Sequence, residues 1–506
     1  MVAKQETVVT WMEGSVPKVR VRVCNEGSVR TGGQYVLYWM IANRRTGWNF
    51  SLQRAVDWCR HVNRPLLVLE ALRVDYPWAS DRLHQFVIEG MAENQSRLEK
   101  AGVAYYPYVE PRVGAGRGLL GELAKQACVV VTDDFPCFFL PRIVDAAAKQ
   151  LACRLEAVDS NGLLPMRAAE QVYTLAHSFR RFLQKQLPQH LTAFPAADPL
   201  RRDALSRGTL QDLVAASVLR RWPMSAVDDG AADRSAAANL PVDHRVAVAA
   251  TRGGSKQAER RLARFIAQSL DGYGERRNHP DEEGASGLSP YLHFGHLSAH
   301  QIFHDVMRSD EWTIDAIAPK PNGSREGWWG ASPAVESFLD ELITWRELGY
   351  NMCSQRTDYD QFDSLPDWAL VTLDKHRRDP RPHLYSLEEF EASQTHDRLW
   401  NAAQRQLVRE GRIHNYLRML WGKKILHWTH RPQEALEIMI ELNNKYALDG
   451  RNPNSYSGIF WVLGRYDRAW GPERPVFGKI RYMTSDNTAR KVRLREYLKR
   501  FGEDDS

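Results

Sequence analysis

The 506 residues contain no CxxC pair, no HExxH, no GxSxG, no P-loop and no zinc-deaminase signature. Hydrolytic, kinase and deaminase chemistry therefore lack their usual motifs. The six cysteines (24, 59, 128, 137, 153 and 353) are scattered. That spacing argues against a disulfide framework or a zinc site and makes a reducing compartment the expectation, the cytoplasm or, in a eukaryotic host, the nucleus. No run of about 18 uninterrupted apolar residues occurs, so no membrane span is expected. The opening "MVAKQETVVTWMEG" lacks the apolar core of a signal peptide. An excess of one charge sign is also nearly missing. A net charge of +6 leans toward polyanions, but only its distribution can decide whether nucleic acid is the partner.

Tryptophan, by contrast, is plentiful. There are sixteen, ten of them at or after Trp312, so the later part of the chain uses large rings for packing, for chemistry, or for both. Before residue 160, β-branched runs at 35–41, 65–72, 103–110, 128–134 and 153–159 read as buried strands. Helical periodicity fills the gaps between them, which predicts an α/β domain with a Rossmann-like parallel sheet. Residues 188–254 are rich in Pro, Ala, Asp and Ser and read as an interdomain linker containing some helix. From 255 onward strand signals vanish and helices follow one another, with Pro432 at a start and Gly411 and Gly450 at ends. The expected organisation is an α/β domain over 1–187, a linker over 188–254 and an all-helical domain over 255–506.

Five stretches carry candidate chemistry. "GAGRGLLGEL" (114–123) resembles a dinucleotide loop but does not follow the first strand, so a βα loop is the better reading. "DEEGASGLSPYLHFGHLS" (281–298) sets small residues before a helix; its amides suit a phosphate cradle or an ordinary cap at Ser289. In "FLDELITWREL" (338–348), Glu341 and Trp345 lie four apart on one helical face, either at a solvated edge or facing a cavity. In "GRIHNYLRMLWGKKILHW" (411–428), His414, Arg418, Trp421, Ile425 and Trp428 share a stripe, with Asn415 and Met419 beside it. Trp421 and Trp428 are about 10.5 Å apart along the axis at 1.5 Å per residue. Core packing accounts for the tryptophans; Arg418 calls for a carboxylate, and Asp449 is a candidate. The tail 478–500 carries eight Lys/Arg against two acids beside Trp461 and Trp470, as a solvated face or as a phosphate-contacting surface with aromatic stacking.

Together, "VLYWM" (36–40), "TDDFP" (132–136) and the spaced helical motifs resemble the DNA photolyase/cryptochrome family, most closely the class II cyclobutane pyrimidine dimer photolyases. The resemblance covers nearly the whole chain. It implies FAD in the helical domain, with Tyr273 and the loop Ala285, Ser286, Gly287, Leu288, Ser289 at its phosphates. Asn415, Gly450 and the pair Arg418–Asp449 belong to the same cofactor set. Asn443, or alternatively Asn454, is the asparagine expected by the reactive flavin nitrogen. Glu341 is implied as the lesion-contacting acid, Trp345, Met419, Trp461 and Arg481 as lesion and DNA contacts, and Trp421, Trp400 and Trp428 as an electron relay ending at the surface. Asn415 and Met419 stand where (6-4) photolyases carry histidines, which favours cyclobutane dimers. This chain reads "ANRRTGWNFSL" (42–52) where class II members commonly read "RDQR…DNWAL", beside the region of a second antenna chromophore, a deazaflavin or folate.

The resemblance thus implies light-dependent repair of UV-damaged DNA, by electron transfer from reduced FAD to a flipped-out dimer, in a monomer with no membrane partner. The alternative is a cryptochrome-type photoreceptor with the same fold and FAD but no repair. A binding protein that has lost FAD is a third reading, and flavin absorbance separates it from the other two.

Overall fold

The computed structural model describes residues 14–201, 206–227 and 236–502. Residues 1–13, 202–205, 228–235 and 503–506 lie outside them, so part of the stretch read as a linker is not described. The described chain forms two compact units. One comprises residues up to 168 together with 187–260 and 291–304; the other comprises 169–186, 261–290 and the chain from 305 onward.

The first unit is built on a six-stranded sheet: β1 (Val21–Val23), β2 (Tyr35–Met40), β3 (Leu66–Leu72), β4 (Ala104–Val109), β5 (Ala127–Asp133) and β6 (Leu155–Val158). Their order is β1-β6-β5-β2-β3-β4, and every pairing is parallel except that of β1 with β6. The five expected strands are present. The antiparallel edge strand β1 was not expected, since three residues are too few for a periodic signal. Four helices cross between strands: α1 (Phe50–Val62), α2 (Asp81–Lys100), α3 (Leu119–Ala124) and α4 (Leu140–Gln150).

Helix α1 starts where the Asn49 side chain accepts the N–H groups of Ser51 and Leu52, and it ends at Asn63 in the left-handed region (φ 50°). Its Phe50, Leu52, Val56 and Trp58 pack with Val36, Tyr38, Val129 and Val131 of the sheet in one apolar cluster. Each such side chain contributes about 1.5–3 kcal/mol when fully buried. A fully buried ion pair ties α1 to β6: Arg54 Nε and Nη2 donate to Glu156 at 2.8 and 3.1 Å, and Trp58 Nε1 donates to the same carboxylate at 2.8 Å.

The "TDDFP" and "ANRRTGWN" segments meet at the end of β5. Asp133 accepts the N–H groups of Ile41, Ala42 and Asn43 at 2.8–2.9 Å and the Tyr38 hydroxyl at 2.8 Å. Arg44 pairs with Glu70 at 2.9 Å, and Arg45 donates to the carbonyls of Gly295 and Ser160. This segment is therefore a buried polar web within the first unit. The glycine loop at 114–118 is held by Trp222, whose indole N–H donates to Ala115 O at 2.9 Å. Residues read as linker thus pack on the first unit, including Trp222, Val227 and Val246.

His296 lies in the same unit, stacked on Phe86 at 5.2 Å, with Nδ1 accepting from Gly254 N at 2.9 Å. Burial, then the charges of Arg44 and Arg45, push its pKa down to about 3 from 6.5. The unfolded chain therefore binds one more proton than the folded one between those values. The stability contributed by the neutral ring is full above about 6.5 and is lost as pH falls toward about 3. Against His296→Gln, the wild-type protein is expected to show a steeper loss of thermal stability across that acid window. Parallel pH curves would contradict the assignment.

The second unit is helical. Asp397 caps Arg398–Glu410 by accepting Trp400 N–H, and Gly411 (φ 71°) terminates that helix. Asn415–His427 follows, then Pro432–Tyr446 with its proline in the first turn, then Pro453–Val462 capped by Asn452. Two expectations change here. Pro432–Tyr446 stops at Tyr446, so Gly450 is not its terminator. A Cβ on Gly450 would meet Asn443 O at 2.8 Å, so that glycine serves close backbone approach. Asn415–His427 has no single apolar stripe: Leu417, Leu420, Trp421, Gly422, Lys423, Ile425 and Leu426 are all buried, so the helix is enclosed nearly all round.

Candidate functional site

Glu341 and Trp345 sit on a helix that runs from Pro333 to Gln355 with a π-turn at Asp340–Trp345. Such i→i+5 turns re-register side chains and recur at functional sites. Glu341 Oε1 pairs with Arg277 Nη1 at 2.5 Å. Burial works against the charge of Arg277, but Glu341 and Tyr273 outweigh it and hold its proton. Tyr273 is itself buried against Phe265 and Phe338, and burial, then Glu341, pushes its hydroxyl up to about 12. The carboxylate suspected from the sequence of needing a partner therefore has one, and Arg277 carried no sequence signal of that role.

A cavity of about 660 Å³ opens in this unit, lined by Trp345, Met419, Trp461 and Arg481 together with Tyr416, Asp467, Trp470, Tyr482 and Lys491. That size falls within the ~300–1,000 Å³ typical of small-ligand sites. Four residues separated by as many as 136 positions in sequence thus share one wall. Arg481 donates to both Asp467 oxygens, at 2.9 and 3.1 Å, and lies 4.1 Å from the Trp470 ring and 5.4 Å from the Trp461 ring. Burial opposes the Asp467 charge, but Arg481 and the N–H groups of Arg468 and Trp470 pull its carboxyl below the usual range. Behind Trp461 lies Lys423, wholly buried, its Nζ 2.6 Å from Val462 O and 4.9 Å from the indole ring. Burial pushes that amine down to about 7.

The basic tail is less lopsided than its composition. Arg493 pairs with Glu282, Arg500 with Glu283 and Glu410, and Lys479 with Glu473. These acids come from other segments of the unit, so a local charge count could not see them. Lys491 lines the cavity, is exposed, and has no ion pair among the described residues.

Arg418 Nη2 donates to Asp449 at 3.2 and 3.3 Å, with the two side chains 20% and 14% exposed. Asn443 is buried, its amide donating to Ser455 Oγ at 2.7 Å and to Asn444, whereas Asn454 and Asn415 are exposed. In the small-residue loop, Gly287 has φ +67°, Arg261 holds the Ser286 carbonyl at 2.7 Å, and Leu288 is buried. The amides of Ala285, Ser286 and Gly287 donate to no acceptor among the described residues. The short helix that follows starts at Ser289.

Trp400, Trp421 and Trp428, the three tryptophans expected to form a relay, are fully enclosed. Trp400 Nε1 donates to the Trp421 carbonyl at 3.0 Å, and the Trp400 and Trp428 rings are 6.1 Å apart at 70°. Trp428 is only 1% exposed, which corrects the expectation that it ends the relay at the surface. Tyr385 and His396 cover it at 5.6 and 5.0 Å, joined to each other by a 2.6 Å hydrogen bond.

The chain as a whole has counterparts among known proteins. The chain is 35% identical over 483 residues to a deoxyribodipyrimidine photo-lyase of Methanothermobacter thermautotrophicus, covering 95% of this chain and 97% of that one. It is 32% identical to the enzyme of the same name from Arabidopsis thaliana, over 96% of this chain and 92% of the other. A third, from Potorous tridactylus, is 30% identical over 98% and 86%. A solved bacterial class III photolyase from Agrobacterium tumefaciens superposes with a TM-score of 0.64 at 20% identity, over 93% of this chain and 86% of that one, a likeness of fold. No protein-family model matches. The chain belongs to the DNA photolyase family. Among the described residues no helix is long and apolar enough to cross a membrane, and no group of three or more His, Cys, Asp or Glu could hold a metal ion.

Proposed function

We propose that this protein reverses cyclobutane pyrimidine dimers in UV-damaged DNA by light-driven electron transfer, as a class II-type photolyase using FAD. The observation that carries this reading is the single cavity that gathers Trp345, Met419, Trp461 and Arg481. Flat rings on its walls suit a pair of pyrimidine bases extruded from the helix, and cations at its rim suit the flanking phosphates.

The residues present fit a flavin dinucleotide. Three unengaged amides at Ala285, Ser286 and Gly287 suit its phosphates, and the half-buried Arg418–Asp449 pair suits the polar edge of an isoalloxazine. Reduced FAD, when bound, supplies the light-driven electron that opens the cyclobutane ring and takes it back. Arg277 pairs with Glu341 Oε1, leaving Oε2 to accept a base N–H of the dimer. Asn443, held by Ser455, is the asparagine proposed for the reactive flavin nitrogen.

Illuminating the flavin-loaded protein with an oligonucleotide carrying one cyclobutane dimer should restore the two pyrimidines. Clearance of a (6-4) lesion with the dimer left intact would overturn the substrate assignment. The absorption spectrum of the protein as isolated tests for FAD and shows whether a deazaflavin or folate antenna accompanies it. Lys491→Ala should flatten the salt dependence of damaged-DNA binding by about one unit of log–log slope, the signature of one lost phosphate contact. Arg493→Ala, whose side chain is committed to Glu282, should leave that slope unchanged. Equal slopes for both variants and wild type would place the DNA elsewhere.

A further inference from the structure

Trp421 and Trp400 are linked through one further side chain. Gln404 stands one helical turn beyond Trp400 on Arg398–Glu410 and is wholly buried. Its Oε1 accepts the Trp421 indole N–H at 2.9 Å, while Trp400 Nε1 donates to the Trp421 carbonyl at 3.0 Å. Gln404 Nε2 has no acceptor among the described residues, so no competing bond turns the amide over. Turned over, it would set N–H against N–H. The indole proton therefore faces a neutral carbonyl oxygen, with no carboxylate or imidazole hydrogen-bonded to it.

We infer that Gln404 is a positioning residue of the electron relay, a neutral acceptor that keeps the indole proton on Trp421 while an electron passes. The inference rests on the relay reading of Trp421, Trp400 and Trp428. In the step considered, one electron leaves the Trp421 ring for the light-excited flavin, and Trp421 becomes a radical cation. An indole that has lost an electron is a far stronger N–H acid than the neutral ring. A carboxylate or imidazole at this position would take the proton and leave a neutral radical, which is a weaker oxidant. Such a radical no longer draws an electron efficiently from Trp400, and at 2% exposure it is shielded from reductants in solution. A glutamine carbonyl is far too weak a base for that transfer, yet its dipole still stabilises the positive charge. The proton stays in place, one electron moves from Trp400 to Trp421, and the hole travels outward.

Gln404→Glu keeps the shape and adds a base; Gln404→Met keeps the volume and removes the acceptor. In flavin-loaded wild-type protein, transient absorption should show only radical-cation bands at the first step. Gln404→Glu should show a neutral tryptophanyl band and a severalfold lower yield of stable photoreduction. The yield should fall further as pH rises and the introduced carboxyl, whose pKa burial raises, ionises. In the flavin-free protein, the indole N–H resonance that disappears in Trp421→Phe should move upfield in Gln404→Met. Radical-cation kinetics in Gln404→Glu that match wild type at every pH would overturn the proposal, as would an unmoved resonance in Gln404→Met. If Trp421→Phe photoreduces normally, the relay reading itself is wrong and Gln404 falls with it. If Trp421→Phe is inactive and Gln404→Glu is unaltered, only the role of Gln404 is lost.

Discussion

Trp421→Phe is expected to abolish photoreduction of the bound flavin while the protein still carries a full complement of it. The replacement keeps an aromatic ring in a fully enclosed position but exchanges an easily oxidised indole for a phenyl ring. The fold should survive. Losing the indole N–H leaves Gln404 Oε1 without its donor, a cost of about 1–3 kcal/mol for one buried polar group. That is tolerable for a chain with two cores. Flavin retention and thermal stability report on the fold, and bleaching of the oxidised flavin band under blue light reports on the relay. Normal bleaching in Trp421→Phe would remove the relay from the mechanism. Because Trp400 is hydrogen-bonded to the Trp421 backbone and lies edge-on to Trp428, Trp400→Phe should give the same phenotype from the second position.

Asp449→Ala should cost the protein most of its flavin. Arg418 donates to both Asp449 oxygens, and the pair is mostly but not wholly buried. Breaking a fully buried pair costs about 3–5 kcal/mol. Partial solvent access reduces this to about 2 kcal/mol. If the loss falls on the flavin-competent conformation, the dissociation constant rises roughly 30-fold at 1.4 kcal/mol per decade. Asp449→Asn keeps a hydrogen-bond acceptor and should lose less. Titration of the flavin-free protein with FAD, followed by fluorescence quenching, measures both. An Asp449→Ala protein that binds FAD as tightly as wild type would remove the pair from the cofactor site.

The parts of the site legible in the sequence are those tied to local spacing. The Gly411 stop and the proline at the start of Pro432–Tyr446 follow from short-range backbone chemistry, and the structure places both boundaries where the pattern puts them. The expectation of a tryptophan relay came from motif resemblance, since periodicity alone left Asn415–His427 balanced between core and machinery, whereas Asp449 was named because a buried Arg418 needs a carboxylate, and the structure pairs the two. What was missed is non-local. Arg277 reaches Glu341 across 64 positions, and Glu282, Glu283 and Glu410 pair with Arg493 and Arg500 of a tail that looks strongly basic by composition. The burial of Trp428 depends on Tyr385 and His396 folding over it, and neither has a spacing relation to that helix.

By itself, then, the sequence determined the kinds of element and their order: parallel strands alternating with helices, then helices alone. Burial period and capping chemistry act within a few residues, so they are written locally. The tertiary structure alone decided which side chains meet. It closed the sheet with the antiparallel Val21–Val23 strand, inserted a π-turn under Glu341 and brought Trp345, Met419, Trp461 and Arg481 around one cavity. It also set Gln404 against the Trp421 indole. The physical reason is that desolvation and charge pairing act through space, and a buried carboxylate, guanidinium or indole takes its partner from whatever the packed core places beside it.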